Sequence, residues 1–183
     1  MLQMYLLFVI SFTPVWTAGK LSEDVQAALG MASQAQLFLN VVCMGLASGA
    51  TAAISQSLGA LRRRRAEYYV TATCLGSLFA GLIIGAAGYA FTALVLALTN
   101  IPVGIRPVAG EIWKIFMLAL PFQYVYSATG VIFRATRMVI PPLIVAAFVA
   151  LVHAFICIGT GLGLFGLPDW GYRGIAWAGF AAE

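Results

Sequence analysis

The stretch that most constrains this chain is Gly45–Arg65, GLASGATAAISQSLGALRRRR. It closes an uncharged segment that runs from Met31 to Leu61 and then meets four consecutive arginines. Such a segment exceeds the roughly 20 residues that span a bilayer core. A block of arginine at its end marks the side that stays in the cytoplasm. Placing Arg62–Arg65 inside sets the direction of every other apolar segment, because successive spans alternate. A nucleic-acid patch is the competing reading of four arginines. One compact block flanked by apolar helix is a poor groove-reading surface, so no nucleic-acid partner is expected.

Only 9% of the 183 residues are charged and 62% are hydrophobic. A soluble domain carries about 25% charged residues, so there is too little polar surface here to wrap a water-soluble globule. The sequence predicts an all-α polytopic membrane protein, with the lipid bilayer as its first partner. Cys43, Cys74 and Cys157 lie far apart within apolar segments. They read as small buried hydrophobes, with no pairing or Cys/His spacing that would suit a metal.

Six apolar segments are expected, at about 1–18, 25–58, 67–98, 107–133, 141–165 and 174–183. The first lacks the basic opening of a signal peptide, which favours a membrane helix, although Thr17-Ala18-Gly19 has the small-residue character of a cleavage site. Ser22, Glu23 and Asp24 supply a cap and first-turn acids for the second helix, and Gly59 is placed to end it. Gly45-x-x-x-Gly49 and Gly81-x-x-x-Gly85 read as small-residue seams for helix packing. Thr99-Asn100-Ile101-Pro102 ends the third helix. Glu111 and Lys114 share a face of the fourth, as a snorkelling ion pair. Pro121 interrupts that helix, and Pro141-Pro142 opens the fifth. Residues 166–171 form an external turn with an interfacial Trp170. The last ten residues rise only about 15 Å, half a hydrocarbon core, which implies a piece of something longer. Arg62, Arg63, Arg64, Arg65, Arg134 and Arg137 fall on the cytoplasmic side, against Lys20, Arg106, Lys114 and Arg173 outside. That bias supports a multi-pass protein of the inner (plasma) membrane.

Two polar features lie at membrane depth. Gln123, Tyr124, Tyr126 and Thr129 surround Pro121, where an irregular helix can face protein or water. Aromatic faces there suit organic cations, and plain packing would leave the same residues. His153 is a lone titratable side chain within a span, a functional candidate by default that can change charge near neutral pH. Its alternative role is a neutral imidazole hydrogen-bonded to another helix. No span carries a carboxylate–histidine cluster, a serine–base pair or a metal-ligand set. The sequence therefore reads as no enzyme, with no catalytic residue, metal or cofactor expected.

The run LASGATAAISQSLGA followed by arginines resembles the second helix and first inner loop of the multidrug and toxic compound extrusion (MATE) family. G-K-L-x(6)-A-L-G-M-A at Gly19–Ala32 is similar to that family's junction of helices one and two. FMLALPFQYVYSATGVIFRATR (Phe116–Arg137), with Pro102 and Pro141-Pro142, resembles its fourth helix and the start of its fifth. GLFGLPDWGYRGIAWA (Gly163–Ala178) is similar to the loop that leads into its sixth. The resemblance implies the first lobe of a 6+6 helix transporter, here five helices and the start of a sixth, with the C-terminal lobe missing. It also implies efflux of small cationic or amphipathic organic compounds in exchange for Na⁺ or H⁺. Many members carry an Asp five residues before the glycine that matches Gly19, and Pro14 stands there in this chain. His153 and Cys157 match a frequent Asn and a polar residue one turn later. The resemblance thus leaves His153 as the ion-coupling candidate of this lobe, and Gln123, Tyr124, Tyr126 and Thr129 as candidates for binding substrate. A lipid-linked oligosaccharide or lipid flippase of related architecture, or a non-transporting assembly subunit, are the alternatives.

Overall fold

The computed structural model describes residues 2–99, 101–136, 138, 140–163, 166, 168 and 170–181, leaving aside the side chains of 2–4, 7 and 46. Asn100, Arg137, Phe165, Leu167, Asp169 and residues 182–183, which figure in the expectations above, lie outside the described residues. The elements are α1 (Leu2–Leu21), α2 (Glu23–Gly59), α3 (Arg63–Ala90), α4 (Thr92–Leu98), α5 (Arg106–Ala135), α6 (Ile140–Leu162) and α7 (Tyr172–Ala181). No strand occurs among the described residues. Four helices, α2, α3, α5 and α6, are each long and apolar enough to cross a membrane. Phe79 and Ile83 on α3 and Phe148 and Leu151 on α6 point outward, a surface that suits lipid rather than water.

Local chemistry sets the helix ends. The Val25 N–H donates to Ser22 Oγ at 3.2 Å, with Glu23 and Asp24 in the first turn, as the cap signature predicts. The far end of α2 corrects the expectation for Gly59. The Leu61 N–H donates to Leu58 O and the Arg62 N–H to Ser57 O, while Leu61 itself takes φ 57°. These are the two bonds of a left-handed helix stop, and its special position lies two residues beyond the glycine. The third apolar segment is also not one helix. It bends at Phe91, between α3 and α4, although Val95 N–H still donates to Phe91 O across the junction. The Thr92 hydroxyl donates back to Gly88 O and Tyr89 O, competition with the backbone ladder that bends helices.

α5 is the hub, packed against α2, α3, α4 and α7. Pro121 has no N–H, so Met117 O one turn earlier has no ladder partner. Gly85 of α3 comes up against that same carbonyl: a Cβ built on it would lie 2.6 Å from Met117 O. One turn away, a Cβ on Gly81 would lie 2.6 Å from Pro121 Cα. This glycine pair is a true seam. Gly45 and Gly49 carry the same spacing, yet nothing lies within 4 Å of where their Cβ atoms would be, so the packing expected of them is not found.

On the other side of α5, α1 packs along α6, and α7 is wedged between α6 and α5. The buried apolar core gathers at the end away from the arginines, through Ala18, Ala28, Ile112, Ala176 and Ala178. Small residues let these helices approach closely where lipid removes the hydrophobic drive. α5 and α6 make few contacts with each other, although only residues 136–139 separate them in the chain at the arginine end.

Candidate functional site

Two cavities lie along the bundle, a lower one nearer the arginine end and an upper one farther from it. The upper has a volume of about 360 Å³. Pro14 of α1, Ser33, Gln36 and Asn40 of α2, Gln123 of α5 and His153 of α6 all line it. Positions 33, 36 and 40 share one helical face. The Gln36 side-chain amide donates to Gln123 Oε1 at 3.2 Å, bridging α2 to α5.

His153 is 3% exposed. Its Nδ1 lies 3.2 Å from Ala178 O of α7. A carbonyl can only accept, so Nδ1 carries the proton and Nε2 is left as the basic nitrogen of a neutral ring. Nε2 is buried and has no hydrogen-bond partner among the described residues. The Ile10 backbone also approaches this ring, and Ile10 lines the same cavity. Pro14 lies four residues after Ile10 and has no N–H to give it, so the Ile10 carbonyl is free of the α1 ladder. The proline thus leaves an acceptor oxygen without its ladder donor on a residue that lines the same cavity as His153. Cys157, one turn from His153, does something else: it is fully buried and its thiol donates to Thr17 Oγ1 at 3.7 Å, tying α6 to α1.

The lower cavity, of about 280 Å³, opens between α2, α5 and α6. Met44, Tyr126, Ser127, Thr129, Arg134 and Pro142 are among its walls. The Thr129 hydroxyl donates to Tyr126 O of its own helix at 2.7 Å, leaving its lone pairs for a guest. Along α5 the sequence Ala119, Gln123, Tyr126, Gly130, Arg134 recurs every three or four residues, as do Ser33, Gln36, Asn40, Met44 and Ala47 along α2. Both cavities therefore lie along one pair of facing stripes.

The candidate residues named from sequence divide between these spaces. Gln123 and His153 share the upper cavity, and Tyr126 and Thr129 line the lower one. Tyr124 lines neither. It is fully buried, its hydroxyl donates to Leu39 O of α2 at 2.8 Å, and it packs beside Cys43 and Leu120. Ser33, Gln36 and Asn40 were not singled out by sequence reasoning; their helical spacing in a charge-free span was the available signal. Glu111 and Lys114 do not pair with each other. Glu111 accepts a forked contact from Arg173 at 2.8 and 3.0 Å and a hydrogen bond from the Tyr172 hydroxyl at 2.8 Å. Lys114 instead sits 5.8 Å from the centre of the Tyr89 ring.

Membrane-length helices around two stacked cavities, largely apolar with a few polar side chains, make an all-α membrane protein whose irregular helices line the interior. The chain matches the MatE family over residues 1–158 and belongs to it. That family consists of transporters, not enzymes. Over 156 residues the chain is 26% identical to "Probable multidrug resistance protein YoeA" of Bacillus subtilis, covering 84% of this chain and 34% of that one. Over 158 residues it is 23% identical to "Probable multidrug resistance protein NorM" of Thermotoga maritima, covering 86% and 34%. The fold is similar to a crystal structure of MATE in complex with MaD3S, with a TM-score of 0.90 at 15% identity, covering 100% of this chain and 40% of the other. It is also similar to the inward-facing conformation of a multidrug resistance MATE family transporter of the MOP superfamily, with a TM-score of 0.87 at 14% identity, covering 95% and 39%. The chain spans about a third of the length of the curated relatives it matches.

Proposed function

We propose that this chain forms the first lobe of a multidrug efflux antiporter, with five spans and the start of a sixth, and that a second lobe completes it. Its membrane is the plasma membrane, with Arg62–Arg65 and Arg134 in the cytoplasm. The lobe exchanges H⁺ for small amphipathic or cationic organic compounds. His153 takes up the proton, and Gln123, Tyr126 and Thr129 line the path of the compound. Tyr124 holds α5 to α2 behind that path.

The observation that carries this reading is the buried, unpartnered Nε2 of His153 in a cavity shared with the Ile10 carbonyl. Protonation at Nε2 creates a donor that this carbonyl can accept, while Ala178 O keeps Nδ1. The titratable group in this cavity is an imidazole, which suits a proton as the coupling ion. The aromatic and amide lining suits flat organic solutes.

The test is binding of a fluorescent amphipathic cation to the purified chain between pH 5 and 8. Wild type should show affinity that changes with pH across this range. His153→Gln should bind with little pH dependence. Pro14→Ala returns an N–H to Ile10 O and should shift the pH midpoint while leaving a titration in place. A wild-type affinity flat with pH, or an unchanged profile in His153→Gln, would sink the coupling role.

A further inference from the structure

A third cavity, of about 290 Å³, lies where α2 gives way to α3 at the arginine end. Gln56 and Ser57 from the last turn of α2 line it, with Arg62, Arg65 and Tyr69 from the start of α3. Residues 62, 65 and 69 share one helical face, whereas Arg63 and Arg64 do not line the cavity. The left-handed stop at Leu61 fixes Arg62 beneath α2 through its N–H bond to Ser57 O. The first turn of α3 has no side-chain cap, so its N–H groups add to the positive field. Among the described residues neither arginine forms an ion pair.

The depth and the flank of this pocket both matter. The Tyr68 and Tyr69 rings meet edge to face with centroids 5.9 Å apart, and tyrosine marks the headgroup level of a membrane. Tyr68, Leu75, Phe79 and Leu82 then continue along α3 as an exposed apolar stripe at helical spacing, a track on which acyl chains can lie. Guanidinium forks match phosphate oxygens two at a time. Basic pockets between membrane helices on the cytoplasmic side are sites for anionic lipid headgroups.

We propose that the Arg62–Arg65–Tyr69 pocket binds the phosphate of an anionic phospholipid, whose acyl chains lie on the neighbouring stripe of α3. This proposal rests on the membrane placement of the chain and is independent of its transport reading. The experiment is native mass spectrometry of the chain in detergent micelles, titrated with phosphatidylglycerol or phosphatidylcholine. Wild type should retain phosphatidylglycerol preferentially. The double variant R62Q/R65Q should lose that preference by about tenfold or more, on the scale expected for two arginines near a lipid surface. R63Q/R64Q removes the same charge outside the pocket and should keep it. Equal losses in the two variants would overturn the proposal in favour of a diffuse field. Displacement of the lipid from wild type by excess inorganic phosphate, which needs no variant, would show an ion site instead.

Discussion

The contact of Gly85 with Met117 O makes a quantitative case. In Gly85→Ala the new methyl would stand 2.6 Å from a backbone oxygen, where ordinary contact begins at 3.4 Å. The helices must part by roughly 0.8 Å at that point, since the obstacle is a carbonyl that no rotamer change can move. Overpacking of this kind costs about 1–3 kcal/mol, and losing a close Cα–H···O contact adds about 0.5 kcal/mol. Alanine returns up to about 1 kcal/mol of helix propensity. The variant should be destabilised by about 0.5–2.5 kcal/mol. Gly76 lies on the same helix with nothing within 4 Å of its Cβ position, so Gly76→Ala keeps the propensity gain without the clash. Unfolding in mixed micelles with rising SDS, followed by tryptophan fluorescence, measures the difference. Trp113 is a reporter at the seam, because its indole N–H donates to Gly88 O at 3.0 Å. If Gly85→Ala proves as stable as Gly76→Ala, the close approach of α3 to the proline-freed carbonyl is refuted.

Two further substitutions follow from the same reasoning. Tyr124→Phe removes the donor to Leu39 O and should cost about 0.5–1.5 kcal/mol in the same unfolding assay, with compound binding retained. Leu61→Gly should raise stability by about 0.5–1 kcal/mol, because the left-handed backbone that costs leucine about 1–2 kcal/mol is free to glycine, less its larger entropy loss on folding. Leu61 is 86% exposed, so no packing is lost, and a fall in the unfolding midpoint would contradict the strain at this turn.

Much of the architecture was readable because lipid imposes long apolar segments, and Ser22 with its acids marked a start that the structure keeps. What failed did so for three-dimensional reasons. Gly45-x-x-x-Gly49 and Gly81-x-x-x-Gly85 are alike on paper, and only the second faces a neighbour. The bend at Phe91 has no proline to announce it; the Thr92 hydroxyl there bonds back to Gly88 O and Tyr89 O. Glu111 finds Arg173 across 62 positions rather than Lys114 across three. His153 was legible as a lone titratable group at depth. Tyr124 and Tyr126 looked equivalent, yet two residues on a helix turn a side chain by about 200°, which sends one to the core and the other to a cavity.

The crowding of small residues at the end away from the arginines turns that end into a pivot. Helices packed there through small residues act as levers about 30 Å long, the depth of the hydrocarbon core. A tilt of roughly 5° of α6 against α2, which faces it across the lower cavity, would move its arginine end by about 3 Å on that lever. That is close to the width of one methyl group across the lower cavity, so access to Tyr126 and Thr129 can be governed by motions too small to disturb the alanine contacts that set the pivot.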